Sequence, residues 1–270
     1  MSWEWREKEG IPYIYLPQWE AEGVNVGFST RWGGVSAPPY SSMNLGLHVG
    51  DRKEDVMENR RRWTAVFDGK ISDMVCCEQV HGRQIGIVKR TDRGRGAYEL
   101  ESVLPGLDGM ICNEAGMLLA AFFADCLPIY FFDPHKRVIG IAHAGWKGTL
   151  GRIAASTVTA MEKAFASKPQ NIWVFLGPGI KACCFVIQDD LVEKVYDELR
   201  EIDGIISNKN GRLTWDLRLT NRRILLSSGI REKNIIDCDL CTSCHLDKFF
   251  SYRNEQSITG RMCAIIGLKR

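Results

Sequence analysis

The sequence predicts an α+β fold in a single domain spanning residues 1–270, with mixed, largely buried β-sheets layered with outer α-helices. Three observations carry that expectation. The segments Met117–Ala124, Leu127–Phe132 and Val138–Ala142 are apolar at nearly every position. Continuous rather than alternating hydrophobicity implies strands covered on both faces. The period then changes: Leu150, Ile153, Ala154, Val158, Met161 and Phe165 fall at helical spacing and predict one amphipathic helix over 148–166. Finally, strands and helices mix without strict βα alternation, and no linker separates them.

Taken in order, Val24–Thr30 reads as a short strand entering a loop, Arg31-Trp-Gly-Gly-Val-Ser36, followed by Pro38-Pro39. Asp51 with Glu54 three residues later has the form of a capping box, opening a helix to about Phe67. Gln84–Lys89 and Leu107–Cys112 favour strands. After the three buried strands and the long helix, Asn171–Leu176 returns to strand and Gly177-Pro-Gly179 turns the chain. Leu191, Val192, Val195 and Leu199 mark a second helix, Leu217–Leu226 a third, and Arg261–Leu268 a closing strand.

Apolar residues make up 45% and charged residues 25%, an ordinary globular balance that excludes a disordered or fibrous chain. Net charge is +2, which gives no electrostatic case for nucleic acid or an acidic membrane surface. The first nine positions carry Glu4, Arg6, Glu7, Lys8 and Glu9, so no secretory signal is expected. The apolar stretch Met117–Phe132 is interrupted by Asp125 and is too short to span a bilayer. The expectation is a cytoplasmic protein whose 10 cysteines are reduced thiols.

Five histidines are few enough to weigh singly. His48 follows Asn44-Leu-Gly46, His135 sits in a turn, and His245 lies in a polar stretch. His81 precedes a strand, and His143 ends an apolar strand before a glycine-bearing turn that leads to a helix. Cys126 lies between two apolar strands. Strand ends of this kind reach active-site crevices. Brought together, His81, Cys126 and His143 would form an N/S ligand set suited to Zn²⁺ with one open position. Two alternatives remain open at this point: a structural cysteine with two hydrogen-bonded histidines, or Cys126 as a nucleophile with His143 as its base. Cys238-x₂-Cys241-x₂-Cys244 lacks a second CxxC module, and Cys76-Cys77 and Cys183-Cys184 are adjacent pairs, so all of these are expected to be structural thiols. For anions, no P-loop or GxGxxG is present. Arg31 beside Gly33-Gly34, and Lys147 beside a helix start, are candidate phosphate contacts, with surface residues as the alternative.

At these residues the sequence resembles the family long described as laccase-like multicopper polyphenol oxidoreductases and now regarded as purine nucleoside phosphorylases of the bacterial YlmD and YfiH type. The resemblance runs from about Gly27 to Leu268. Its segments are Gly27-Phe-Ser-Thr-Arg-Trp-Gly-Gly34, Asn44-Leu-Gly46, Gln79-Val-His-Gly82, Asp108-Gly109, Ala124-Asp-Cys-Leu-Pro128 and Ala142-His-Ala-Gly-Trp146. They continue with Gly177-Pro-Gly-Ile180, Asp216-Leu217 with Asn221, Cys241-Thr242, Phe249-Phe-Ser-Tyr-Arg253 and Thr259-Gly-Arg261. The ordered series is specific where each member alone is weak. Two departures stand out: Phe185-Val-Ile187 replaces the family's frequent Tyr-Glu-Val, and Asn254 replaces a second arginine.

The resemblance implies zinc on His81, Cys126 and His143, and activity on purine nucleosides with inorganic phosphate. The activities it implies are phosphorolysis of adenosine, inosine, guanosine and methylthioadenosine, together with adenosine deamination. On that basis Asp125, Cys126 and His143 are expected to serve catalysis, with Asp125 either moving a proton or supporting a histidine. Arg31, Asn44 and Lys147 are expected to bind substrate. The alternative of copper-dependent phenol oxidation, the older family label, needs several coppers and more histidines than the chain has. A non-catalytic zinc-stabilised binding protein is the other alternative.

Overall fold

In the computed structural model, which describes residues 1–209 and 211–270, the chain forms two six-stranded sheets stacked face to face, with helices on the outer side of each. The strands are β1 (Glu4–Lys8), β2 (Ile11–Tyr15), β3 (Val24–Ser29), β4 (Met74–Cys76), β5 (Ile85–Ile87), β6 (Gly109–Cys112) and β7 (Leu118–Phe123). They continue with β8 (Leu127–Asp133), β9 (Val138–Ala144), β10 (Trp173–Leu176), β11 (Ile206–Lys209), β12 (Arg212–Trp215), β13 (Ile235–Asp237) and β14 (Met262–Leu268). The helices are α1 (Pro17–Ala21), α2 (Lys53–Ala65), α3 (Trp146–Leu150), α4 (Ile153–Phe165), α5 (Asp189–Leu199) and α6 (Leu217–Ser227).

The first sheet has the order β1-β2-β3-β14-β7-β4 and the second β13-β10-β8-β9-β6-β5, while β11 and β12 form a separate hairpin. Both large sheets mix parallel and antiparallel pairs, such as parallel β4–β7 beside antiparallel β7–β14.

Period-two alternation explains the layering. In β7, Leu119, Ala121 and Phe123 face the space between the sheets, whereas Leu118, Ala120 and Phe122 join the cluster that holds Trp63 of α2. In β8, Tyr130 and Phe132 point between the sheets, and Leu127, Ile129 and Phe131 point outward onto Ala154, Val158 and Met161 of α4. Each strand is therefore buried on both faces, which is why its sequence reads as an unbroken apolar run. The Tyr130 hydroxyl donates to the Gly27 carbonyl at 2.9 Å, so this buried polar group is paired across the layers.

The structure departs from expectation in three places. The helix predicted over 148–166 is two helices, α3 and α4, broken at Gly151-Arg152, where Arg152 takes φ 59°. Leu150 packs on the same apolar cluster as α4, so the helical spacing reported a shared face and not an unbroken helix. A Cβ on Gly148 would lie 3.0 Å from the Gly82 carbonyl oxygen, so α3 is pressed against the loop carrying His81. Asp51 is not a cap: α2 starts at Lys53, and the Asp51 carboxylate accepts from Ser36 Oγ and Asn44 Nδ2 instead. Strands β1, β2, β4 and β13 and the β11–β12 hairpin were absent from the sequence expectation. Among the described residues, no helix is long and apolar enough to cross a membrane.

Candidate active site and metal centre

The chain passes from the first sheet to the second between β7 and β8, through Ala124, Asp125 and Cys126. His143 shares the parity of Ile139 and Ile141 on β9, both of which face the space between the sheets. It therefore points into the mouth of that space beside Phe123, with ring centroids 5.5 Å apart. The loop after β4 brings His81 to the same point, where its ring centroid lies 4.8 Å from that of His143, edge to face. The ligating atoms of His81, Cys126 and His143 all lie within 4.8 Å of one another. The structure thus brings together three residues from three separate loops and strand ends.

Asp108 organises this trio. Its Oδ1 sits 3.0 Å from His143 Nδ1 and accepts the His81 N–H at 2.8 Å, while Oδ2 accepts the Gly82 N–H at 2.6 Å. Its backbone carbonyl also accepts the His143 N–H. A carboxylate on Nδ1 fixes the tautomer and leaves Nε2 as the ligating nitrogen. His81 itself takes φ 63° and Gln79 takes φ 62°, left-handed conformations that non-glycine residues hold only under constraint. The Gln79 side chain supplies part of that constraint by pairing with both backbone groups of Phe122 at 2.8 Å.

Burial would raise the Cys126 thiol, but the adjacent His143 and His81 rings outweigh it and bring it to about 6. For His143, burial is opposed by the Cys126 charge and by the Asp108 hydrogen bond, and the ring is raised to about 9. A thiolate facing two imidazoles is the donor chemistry that zinc takes, and three protein ligands leave a fourth position open. The residues fit the metal.

The trio lines a cleft of about 750 Å³, within the roughly 300–1,000 Å³ typical of small-ligand sites. Aromatic walls come from Phe122, Trp146, Phe185 and Tyr252. His48, Arg60 and Arg261 bring basic groups into the same cleft. Arg60 is 1% exposed, and its guanidinium donates to the carbonyls of Leu45, Gly96 and Ala97. Arg261 Nη1 is held by the Thr259 and Gly260 carbonyls. His48 is depressed to about 4, first by burial and then by the charges of Arg261 and Arg60. Desolvation, with the two cations adding to it, keeps this histidine neutral.

The substrate contacts expected from the sequence, Arg31, Asn44 and Lys147, lie outside this lining. Arg31 does not line the cleft. Its guanidinium is consumed by the carbonyls of Ser41 and Leu246 and by Glu255 at 3.1 Å, and it stacks 4.7 Å from the Phe250 ring. Asn44 is fully buried and lies outside the lining; its Oδ1 accepts from the Gly46 and Arg261 N–H groups, which positions the Arg261 backbone. A Cβ on Gly46 would lie 2.8 Å from Arg261 Cγ, so that glycine is needed for the close approach. Lys147 is exposed on α3 with its amine 5.5 Å from the Trp146 ring, again outside the lining. Asp125 does line the cleft, but both carboxylate oxygens are occupied: Oδ1 accepts from Thr242 at 2.6 Å, and Oδ2 from Ser251 and the Arg253 N–H. The partner of a histidine is Asp108, not Asp125. Asp108-Gly109 and Thr259-Gly-Arg261 were visible as motifs, yet nothing in their spacing assigned them a task.

The cysteines expected to be structural thiols also divide differently. Cys183, Cys184, Cys241 and Cys244 have their sulfurs within 4.8 Å of one another, so the adjacent pair and the CxxC run meet in space.

The family model described as multi-copper polyphenol oxidoreductase laccase matches residues 25–269. The purine nucleoside phosphorylase YlmD of Geobacillus stearothermophilus is 41% identical over 247 residues, covering 91% of this chain and 90% of that protein. The Bacillus subtilis protein of the same name is 37% identical over 251 residues, covering 91% and 89%. The crystal structure of the Geobacillus YlmD superposes with a TM-score of 0.93 at 40% identity, covering 98% of each chain.

Proposed function

The chain belongs to the laccase-like multi-copper polyphenol oxidoreductase family matched over residues 25–269, and we propose that within it the protein is a zinc-containing purine nucleoside phosphorylase with adenosine deaminase side activity. Adenosine, inosine, guanosine and methylthioadenosine are its proposed phosphorolysis substrates. The observation that carries this reading is the meeting, in one aromatic-walled cleft, of the His81–Cys126–His143 trio with the His48–Arg60–Arg261 patch.

Phosphorolysis breaks the bond between the sugar anomeric carbon and a purine nitrogen as a phosphate oxygen bonds to that carbon. The leaving base takes the electron pair. A site for it needs a cationic phosphate cradle beside an apolar slot for the base. Arg261 supplies the cradle, where charge-assisted hydrogen bonds are strongest, and buried Arg60, whose Nε and Nη1 already donate to carbonyls, adds its charge. Neutral His48, exposed on the cleft, offers phosphate an uncharged ring N–H. Phe185, Tyr252 and Trp146 offer surfaces on which a purine can stack. Asp108 holds His143 and the His81 loop in place throughout. His81, Cys126 and His143 would hold the zinc, which supplies a Lewis acid with an open position.

The test is incubation of zinc-loaded protein with each nucleoside, with and without phosphate, followed by chromatography. The expected products are free base and ribose 1-phosphate only when phosphate is present, plus inosine from adenosine in either case. Absence of ribose 1-phosphate from every purine nucleoside would defeat the proposal. Replacing air by argon should change neither reaction, since zinc has no accessible redox step. The copper-oxidase alternative requires oxygen.

A further inference from the structure

Outside the cleft, two loops converge on a second group of sulfurs. The first follows the turn at Gly177-Pro-Gly-Ile180 and carries Cys183 and Cys184. The second follows β13 and carries Cys241 and Cys244. Cys244 Sγ lies 3.5 Å from Cys183 Sγ and 3.4 Å from Cys184 Sγ, and all four sulfurs fall within 4.8 Å of one another. Four thiolates around zinc, with Zn–S near 2.3 Å, place their sulfurs roughly 3.8 Å apart. The four sulfurs already stand near that spacing. A disulfide would use only two of them, at about 2.05 Å.

The backbone is arranged as thiolate ligands require. Cys241 and Cys244 are spaced as a CxxC turn, and the Lys181 N–H points at Cys241 Sγ from 3.5 Å. That N–H stabilises a charged sulfur, and it reaches from the loop of Cys183 and Cys184 to the sulfur of the other loop. Cys241 is buried, whereas Cys183 and Cys244 are exposed, which gives a metal a route in.

We propose that Cys183, Cys184, Cys241 and Cys244 form a closed tetrathiolate site for a zinc ion, distinct from the cleft. Four soft, charged sulfurs with no open position describe a structural centre. Its place in the fold says what it stabilises. Thr242, inside the CxxC turn, donates to Asp125 next to Cys126. Phe185, next to Cys184, forms a cleft wall, and the Arg253 guanidinium lies 5.2 Å from its ring while donating to the Val186 carbonyl. The ion would therefore lock two loops that together build one side of the cleft.

Zinc counted per chain by elemental analysis, after anaerobic purification under reductant, tests this. Cys126→Ala disables the cleft site and should retain about one zinc; Cys126→Ala with Cys244→Ser should retain none. Cobalt loaded into Cys126→Ala should give the intense sulfur-to-metal absorption of a four-thiolate site, lost in the double variant. Cys238→Ser, outside the cluster, should leave the count unchanged. If Cys244→Ser fails to fold by circular dichroism, Cys183→Ser takes its place, and the count on Cys126→Ala decides independently. Zinc-free Cys126→Ala with four titratable thiols overturns the proposal. So does a disulfide among the four cysteines in peptide maps of freshly isolated protein. Failure of nucleoside cleavage with the tetrathiolate spectrum intact would count against the proposed activity alone.

Discussion

Replacing Asp108 with Asn changes one oxygen to an amide nitrogen inside a site where every neighbour is a donor. The native carboxylate receives His143 Nδ1, the His81 N–H and the Gly82 N–H, and is 1% exposed. An asparagine oxygen in the Oδ1 position keeps the first two contacts, but its NH₂ then faces the Gly82 N–H across 2.6 Å. The reverse orientation turns the NH₂ toward both His81 and His143. At least one charge-assisted bond worth about 1.5–3 kcal/mol is lost, two in the reverse orientation, and a buried donor is left facing a donor. Loss of a hydrogen bond that orients a metal-ligating histidine weakens metal binding by roughly 10–100-fold, or about 1.4–2.8 kcal/mol. The assay is competition for zinc between the protein and a chromogenic chelator, with thermal melts run alongside. A zinc affinity within twofold of the parent protein would refute the assignment of Asp108 as the organiser of the site.

Other outcomes follow from the same geometry. Arg261→Ala should cost phosphorolysis about 10- to 150-fold through the phosphate KM, the equivalent of one charge-assisted contact, while deamination changes little; equal losses in both would move Arg261 out of the phosphate role. Arg31→Ala should leave the phosphate KM alone and lower the melting temperature, because its guanidinium joins Ser41, Leu246 and Glu255; a raised KM without destabilisation would reverse that reading. His48 is held near 4 against a usual 6.5, so the unfolded chain binds the extra proton first as pH falls. Stability should therefore decline modestly as pH falls from about 6.5 to 4 and level off below, because solvent screens this exposed ring, with the slope lost in His48→Gln. Bound phosphate should raise the His48 titration seen by NMR, and no upward shift would mean the anion lies elsewhere.

How much of this could be read from the sequence depended on how each feature is stabilised. Strands β7, β8 and β9 were legible because double-sided burial leaves an apolar run. Strand β1 was not: as the outermost strand, paired only with β2, its Glu4-Trp-Arg-Glu-Lys8 carries charge at nearly every position. His81, Cys126 and His143 could be singled out because each ends or precedes a strand. Asp108 and Arg261 could not, because their roles depend on hydrogen bonds to loops far away in sequence. The cysteine cluster shows the limit most clearly. The CxxC run has no second such module in the sequence, and the sulfurs that meet it in space belong to Cys183-Cys184, an adjacent pair whose spacing carries no ligand signal.

The position of the site follows from the crossing between layers. Strand β7 lies in the first sheet and β8 in the second, and only Ala124, Asp125 and Cys126 join them. The chain must turn there at the open end of the inter-sheet space, and Asp125 takes φ 83° to do so. Cys126 is thereby fixed at a seam that both sheets border. From the second sheet come His143 on β9 and Asp108 just before β6; from the first come Phe122 of β7, which carries the Gln79 clamp on the His81 loop, and Arg261 just before β14. A crossing this short needs bracing, and Thr242, Ser251 and the Arg253 N–H supply it through Asp125. Asp125→Ala should therefore act mainly on the geometry of Cys126. It removes a buried acceptor of three donors, each left-over donor costing about 1–3 kcal/mol, so zinc affinity and thermal stability should fall together. Loss of turnover with both unchanged would instead make Asp125 a group that acts on the substrate.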